Sequence, residues 1–132
     1  MNATVPHADT VGHDPLEAAK PLLLLGWTSP SLLAARVALE QCLLGMAAER
    51  SLAVPERATI GTLVRMFENH QLLAGGLCVR TQSLNADLSR VAHGQAVNVF
   101  TAMQLIERTE RRMQDLRTAE PPTRRRKGGA KC

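Results

Sequence analysis

The chain has 132 residues, 45% of them apolar and 21% charged. That suffices for one core, is too little charge for wholesale disorder, and makes a two-lobed enzyme with an interdomain cleft a poor fit to the length. Trp27, Phe67 and Phe100 are the only aromatic residues, which argues against a base-stacking reader of single strands and against a barrel of aromatic, β-branched strands. The net charge of +4 is uneven: residues 117–132 hold six basic side chains against one acidic, so the first 116 carry ten basic and eleven acidic groups. Any attraction to phosphate is expected from the tail.

Residues 1–13 are polar and irregular and are expected to form a flexible arm. Its His7 and His13 lack further ligands at metal spacing, so no metal and no cofactor are expected. Asp14 followed by Pro15 is a helix start, and a short helix should run from about Pro15 to Gly26, with Pro21 ending, kinking or restarting it. Ser29 and Pro30 repeat the start signal for the clearest helix, Ser31 to about Ser51. There Leu33, Val37, Glu40 and Leu44 share one side while Leu32, Ala35, Leu39, Cys42, Leu43 and Met46 widen the apolar stripe, which implies a central position.

After Pro55, residues Arg57 to Asn69 place Ile60, Leu63, Val64 and Phe67 at offsets of three and four, a shorter helix with one buried face. A long helix from Gln71, or from beyond Gly75 and Gly76, to His93 follows, with Gly94 as its stop. The last helix spans about Gln95 to Arg117. Its apolar pattern is broken by Thr109, Glu110 and Arg111, so its second half is expected to leave the core. No alternating strand pattern competes. The expected architecture is all-α: a mainly antiparallel bundle over residues 14–117 with one short additional helix, then a disordered basic tail over 118–132.

Cys42, Cys78 and Cys132 form neither a CxxC pair nor an even framework, and the strongly apolar run Leu22 to Leu25 is too short to span a bilayer. A cytoplasmic protein without a membrane segment is expected. Two placements exceed simple amphipathicity. Arg36 and Glu40, at i,i+4, can pair within the most apolar helix, or merely form a surface pair of a few tenths of a kcal/mol (~0.3). Asp87, Arg90 and His93, at successive i,i+3 spacings, can share one polar side. A histidine beside an arginine can move a proton while the cation steadies a phosphorane. Equally, it can cap a helix end.

The segment Ala34-Ala-Arg-Val-Ala-Leu-Glu-Gln-Cys-Leu-Leu, followed by Leu88-Ser-Arg-Val-Ala-His-Gly and a final amphipathic helix, resembles the HEPN superfamily, particularly its DUF4145-like branch, over residues 30–117. The resemblance implies an all-α bundle, commonly a homodimer packed through long helices, with RNA-related or defence-related roles. Members that cut RNA use, without metal, an arginine four to six residues from a histidine. Counting back from His93, those positions hold Leu88, Asp87 and Ala86, while Arg90 is too near and Arg80 too far.

The expected function is therefore a non-enzymatic binding or regulatory module. Arg36, Glu40, Asp87, Arg90 and His93 would form a shared polar feature near the helix interface, and a homodimer or protein partner would cover apolar surface. The alternative is a metal-independent endoribonuclease using His93 with Arg90. A helix-turn-helix over residues 57–80 is weaker, because Arg80 and Gln82 alone would face bases. In the tail, Arg124, Arg125, Arg126, Lys127 and Lys131 are candidates for non-specific RNA or DNA contact, or for a solubilising terminus.

Overall fold

The computed structural model describes residues 14–122. The flexible arm expected over residues 1–13 and the tail candidates Arg124, Arg125, Arg126, Lys127 and Lys131 lie outside the described residues. Those described form five helices and no strand: α1 (Pro15–Leu24), α2 (Thr28–Glu49), α3 (Ile60–Asn69), α4 (Gly75–Ala92) and α5 (Val99–Thr118).

Local chemistry sets each boundary. The Asp14 carboxylate accepts from the Leu16 N–H at 3.0 Å and opens α1. Pro21 does not end this helix, which continues to Leu24. The donor it lacks would have met the carbonyl of Glu17, an exposed residue. Helix α3 starts at Ile60, three residues later than the apolar pattern suggested: Arg57 has φ +73°, and Thr59 caps the helix by accepting from Thr62 N–H at 3.1 Å. Helix α5 starts at Val99 and not near Gln95, because the Asn98 side chain accepts from Thr101 N–H at 2.7 Å.

Four helices end alike. The residue three beyond each helix donates to a carbonyl in the last turn, as in Trp27 N–H to Leu22, Leu52 to Ala47, Leu72 to Phe67 and Gln95 to Arg90. The turn residue before each of these has positive φ: Gly26 at +84° and Gly94 at +100°, but also Ser51 at +55° and Gln71 at +58°. The two glycines take this conformation freely, whereas the side chains pay a penalty on the order of 1 kcal/mol each.

Helix α2 packs against all four others, and α5 against α1, α2 and α4. Lys20 on α1 meets Glu110 on α5 at 2.7 Å, and Asp14 lies across one surface cleft from Arg117, so these two helices are antiparallel. Asp87 on α4 pairs with Arg108 on α5, while Arg80, further back on α4, lies near Arg112; that pair is antiparallel too. Phe67, Leu32, Leu39, Leu43, Leu63, Leu84, Leu88 and Ile106 are fully buried between the helices.

The second half of α5 stays in this core, contrary to its broken apolar pattern, with Thr109, Met113 and Leu116 buried. Thr109 can lie inside because its hydroxyl donates to the Leu105 carbonyl at 2.8 Å, as Thr81 does to Leu77 at 2.8 Å. By length and composition α2 is also long and apolar enough to cross a membrane, with a mean hydropathy of 1.3 over its best window. That apolar content is divided between a face in the core and a face pointing outward.

Candidate functional site

A groove of about 590 Å³ lies between the C-terminal part of α4, the loop after it and α5. Val91, Leu105 and Val97 supply its apolar lining. On α5, Thr101, Gln104, Arg108 and Arg111 recur at spacings of three, four and three and therefore share one side. On α4, Asp87 and Arg90 face them.

Asp87 joins the two helices. One carboxylate oxygen accepts from Arg108 Nη1 at 2.6 Å and the other from Arg90 Nη2, while Arg108 Nη2 also reaches Ser83 Oγ at 3.4 Å. Burial works to raise the Asp87 pKa. The bond and charge of Arg108, then those of Arg90, outweigh it and hold the carboxyl below its ordinary value. Asp87 is therefore an anchored anion and a poor proton acceptor. The groove carries three guanidinium groups against the carboxylates of Asp87 and Glu107. Of the three, Arg111 makes no ion pair among the described residues.

Arg112 adds to this positive field from just beside the groove. It is 8% exposed, donates to Asp115 Oδ2 at 2.8 Å, and keeps a buried Nε without an acceptor. Its pKa is lowered, first by burial and then by the charges of Arg80, Arg108 and Arg111, against the pull of Asp115. Arg108, Arg111 and Arg112 were not singled out from the sequence. Their i, i+3, i+4 spacing opposite Asp87 was the available signal, but it reads as surface charge until α4 is placed alongside.

The residues that sequence reasoning did single out are distributed differently. Asp87 and Arg90 come together as their spacing suggested. His93 does not join them. It is the C-cap of α4, one residue before the positive-φ turn at Gly94 (φ +100°). Its backbone N–H caps α4 on the Ser89 carbonyl at 3.0 Å, while its imidazole is exposed, makes no hydrogen bond among the described residues and is outside the groove lining.

Arg36 and Glu40 are both half-buried on α2, form no ion pair with each other and do not line the groove. Gln82, a base-reading candidate, spends its amide on the Gly61 carbonyl at 3.3 Å, tying α4 to α3. Neither described cysteine is activated: burial pushes the thiols of Cys42 and Cys78 up, with Glu68 adding to the rise at Cys78. Among the described residues no group of three histidines, cysteines or carboxylates stands at metal-binding distance.

The arrangement can hold an anionic group against Arg111 and its neighbours. It presents no paired acid and base at the distance proton transfer requires. No family model, curated protein or solved structure matches the chain.

Proposed function

We propose that this chain is a non-enzymatic, HEPN-like helical module that binds or regulates a partner, associates with RNA in a defence-related setting, and works in the cytoplasm as a homodimer. The observation that carries the non-enzymatic reading is that His93 is not among the groove-lining residues and makes no bond to the arginines. The imidazole is exposed beyond the end of α4, whereas Arg90 and Arg108 are committed to Asp87. A proton-transfer group and a phosphate-steadying cation must converge on one reacting atom within hydrogen-bond reach. Support for a polyanionic partner comes from Arg90, Arg108 and Arg111 along the groove, with the basic residues 124–127 following in sequence. Support for self-association comes from the apolar side chains that a bundle of this size leaves outside.

The deciding assay incubates the full chain, and separately its His93→Ala and Arg90→Ala variants, with a structured RNA pool in the presence of chelator. No cleavage by any of the three, together with salt-sensitive retention of the RNA, is the expected result. Cleavage by the parent chain that His93→Ala abolishes would overturn the binding-module reading in favour of a metal-independent endoribonuclease.

A further inference from the structure

We propose that the outward face of α2 is the seam of a two-fold symmetric dimer, in which Arg36 of each copy pairs with Glu40 of the other. The inference rests on the homodimeric reading above and gives it a surface, a register and a charge pair.

Leu33, Val37, Glu40 and Leu44 step along α2 at intervals of four, three and four, the spacing of a seam between two packed helices. They do not face the core. Leu33 is 52% and Leu44 37% exposed, with Val37 and Glu40 half-buried, while the buried Leu32, Leu39 and Leu43 of α2 lie about a third of a turn round the helix. At 22 residues the helix offers a contact line about 33 Å long.

Self-complementarity selects a second copy as the occupant. In an antiparallel pairing of α2 with itself, setting Leu33 beside Leu44 of the second copy also sets Val37 beside Glu40 of that copy. Arg36 then stands within one residue of level with the same Glu40, and the two-fold axis repeats the pair. The same register brings the start of α2, where Trp27 is 55% exposed, to the end of the second α2 at Arg50.

Within the described residues of one chain neither member of this pair has an ionic partner. Among the described residues Arg36 has a buried Nε with no acceptor, Glu40 makes no ion pair, and the two do not bond each other despite their i,i+4 spacing. Turning the Arg36 guanidinium outward to a carboxylate on a second copy therefore breaks no bond in its own chain. An unpaired buried donor is a cost that such a contact relieves.

The test measures the oligomeric state of the full chain at micromolar concentration by sedimentation, with helicity followed by circular dichroism. The parent is expected to be a dimer, and Leu33→Glu, at an exposed position, a folded monomer. Arg36→Glu leaves acidic groups at both positions and Glu40→Arg leaves basic groups at both. Each alone should weaken dimerisation at least about tenfold, and an equimolar mixture should restore it as a heterodimer. An intrachain pair would gain nothing from mixing, so absence of recovery overturns the cross-pair.

A parent that stays monomeric removes the homodimeric reading and the seam together. A parent dimer that survives Leu33→Glu leaves that reading intact and removes only the seam. Co-flotation of the parent with phosphatidylglycerol vesicles, lost in Leu33→Glu, would assign the stripe to lipid and overturn the proposal.

Discussion

Replacing Asp87 by alanine removes the one carboxylate that holds α4 to α5 across the groove, and the structure sets the size of the effect. The bond to Arg108 joins two helices, with side-chain exposures of 31% and 25% for the pair. It keeps part of the value of a charge-assisted hydrogen bond, about 1–2 kcal/mol after allowing for solvent. The bond to Arg90 lies within one helix on a side chain 57% exposed, and is worth about 0.3–0.5 kcal/mol. Loss of both, with Arg90, Arg108 and Arg111 left facing one another, should cost about 1.5–2.5 kcal/mol and lower the melting temperature by about 5–12 °C.

Double-mutant cycles separate the parts: Asp87→Ala with Arg108→Ala should show coupling near 1 kcal/mol (about threefold that of Asp87→Ala with Arg90→Ala). Equal couplings, or coupling to Arg108 indistinguishable from zero, would refute the assignment of Asp87 as the interhelical tie. The pH dependence has a definite sign. A carboxyl held below its ordinary value in the folded state contributes stability above the unfolded value of about 3.9, and loses it as pH falls toward the folded value. Urea melts below about pH 4 should therefore show a steeper loss for the parent than for Asp87→Ala.

Ser51→Gly should stabilise the bundle by up to about 1 kcal/mol, since Ser51 adopts φ +55° at the turn closing α2 and is exposed; an unchanged or lower unfolding midpoint would contradict this. Thr109→Val should change stability by less than about 1 kcal/mol, because the Leu105 carbonyl keeps its helical partner when the hydroxyl is lost. Thr109→Arg, placing a charge in the core, should unfold the chain. Deleting residues 123–132 should leave helicity unchanged while reducing retention on immobilised RNA and the slope of binding against salt; loss of helical signal on deletion would contradict a separable tail.

How much of the molecule was legible follows from the range of each interaction. Fold class, helix number and the stop at Gly94 are readable from sequence because apolar period, caps and backbone preference act within a few residues. The same locality made Asp87 and Arg90 recognisable as neighbours. It failed at Thr109, whose buried hydroxyl is satisfied by its own helix and so looks polar while behaving as core.

Failure of another kind occurred at His93, whose i,i+3 spacing from Arg90 brought its imidazole neither into the groove lining nor into a bond with that arginine. The tertiary structure alone decided which arginines meet Asp87, because Arg108 is 21 residues away and arrives only when α5 lies antiparallel to α4. It also decided that Leu33 and Leu44 point out while Leu32 and Leu43 point in. A helix apolar on nearly all sides contains no local instruction about which side its neighbours will cover, so that choice belongs to the packing of the other four helices.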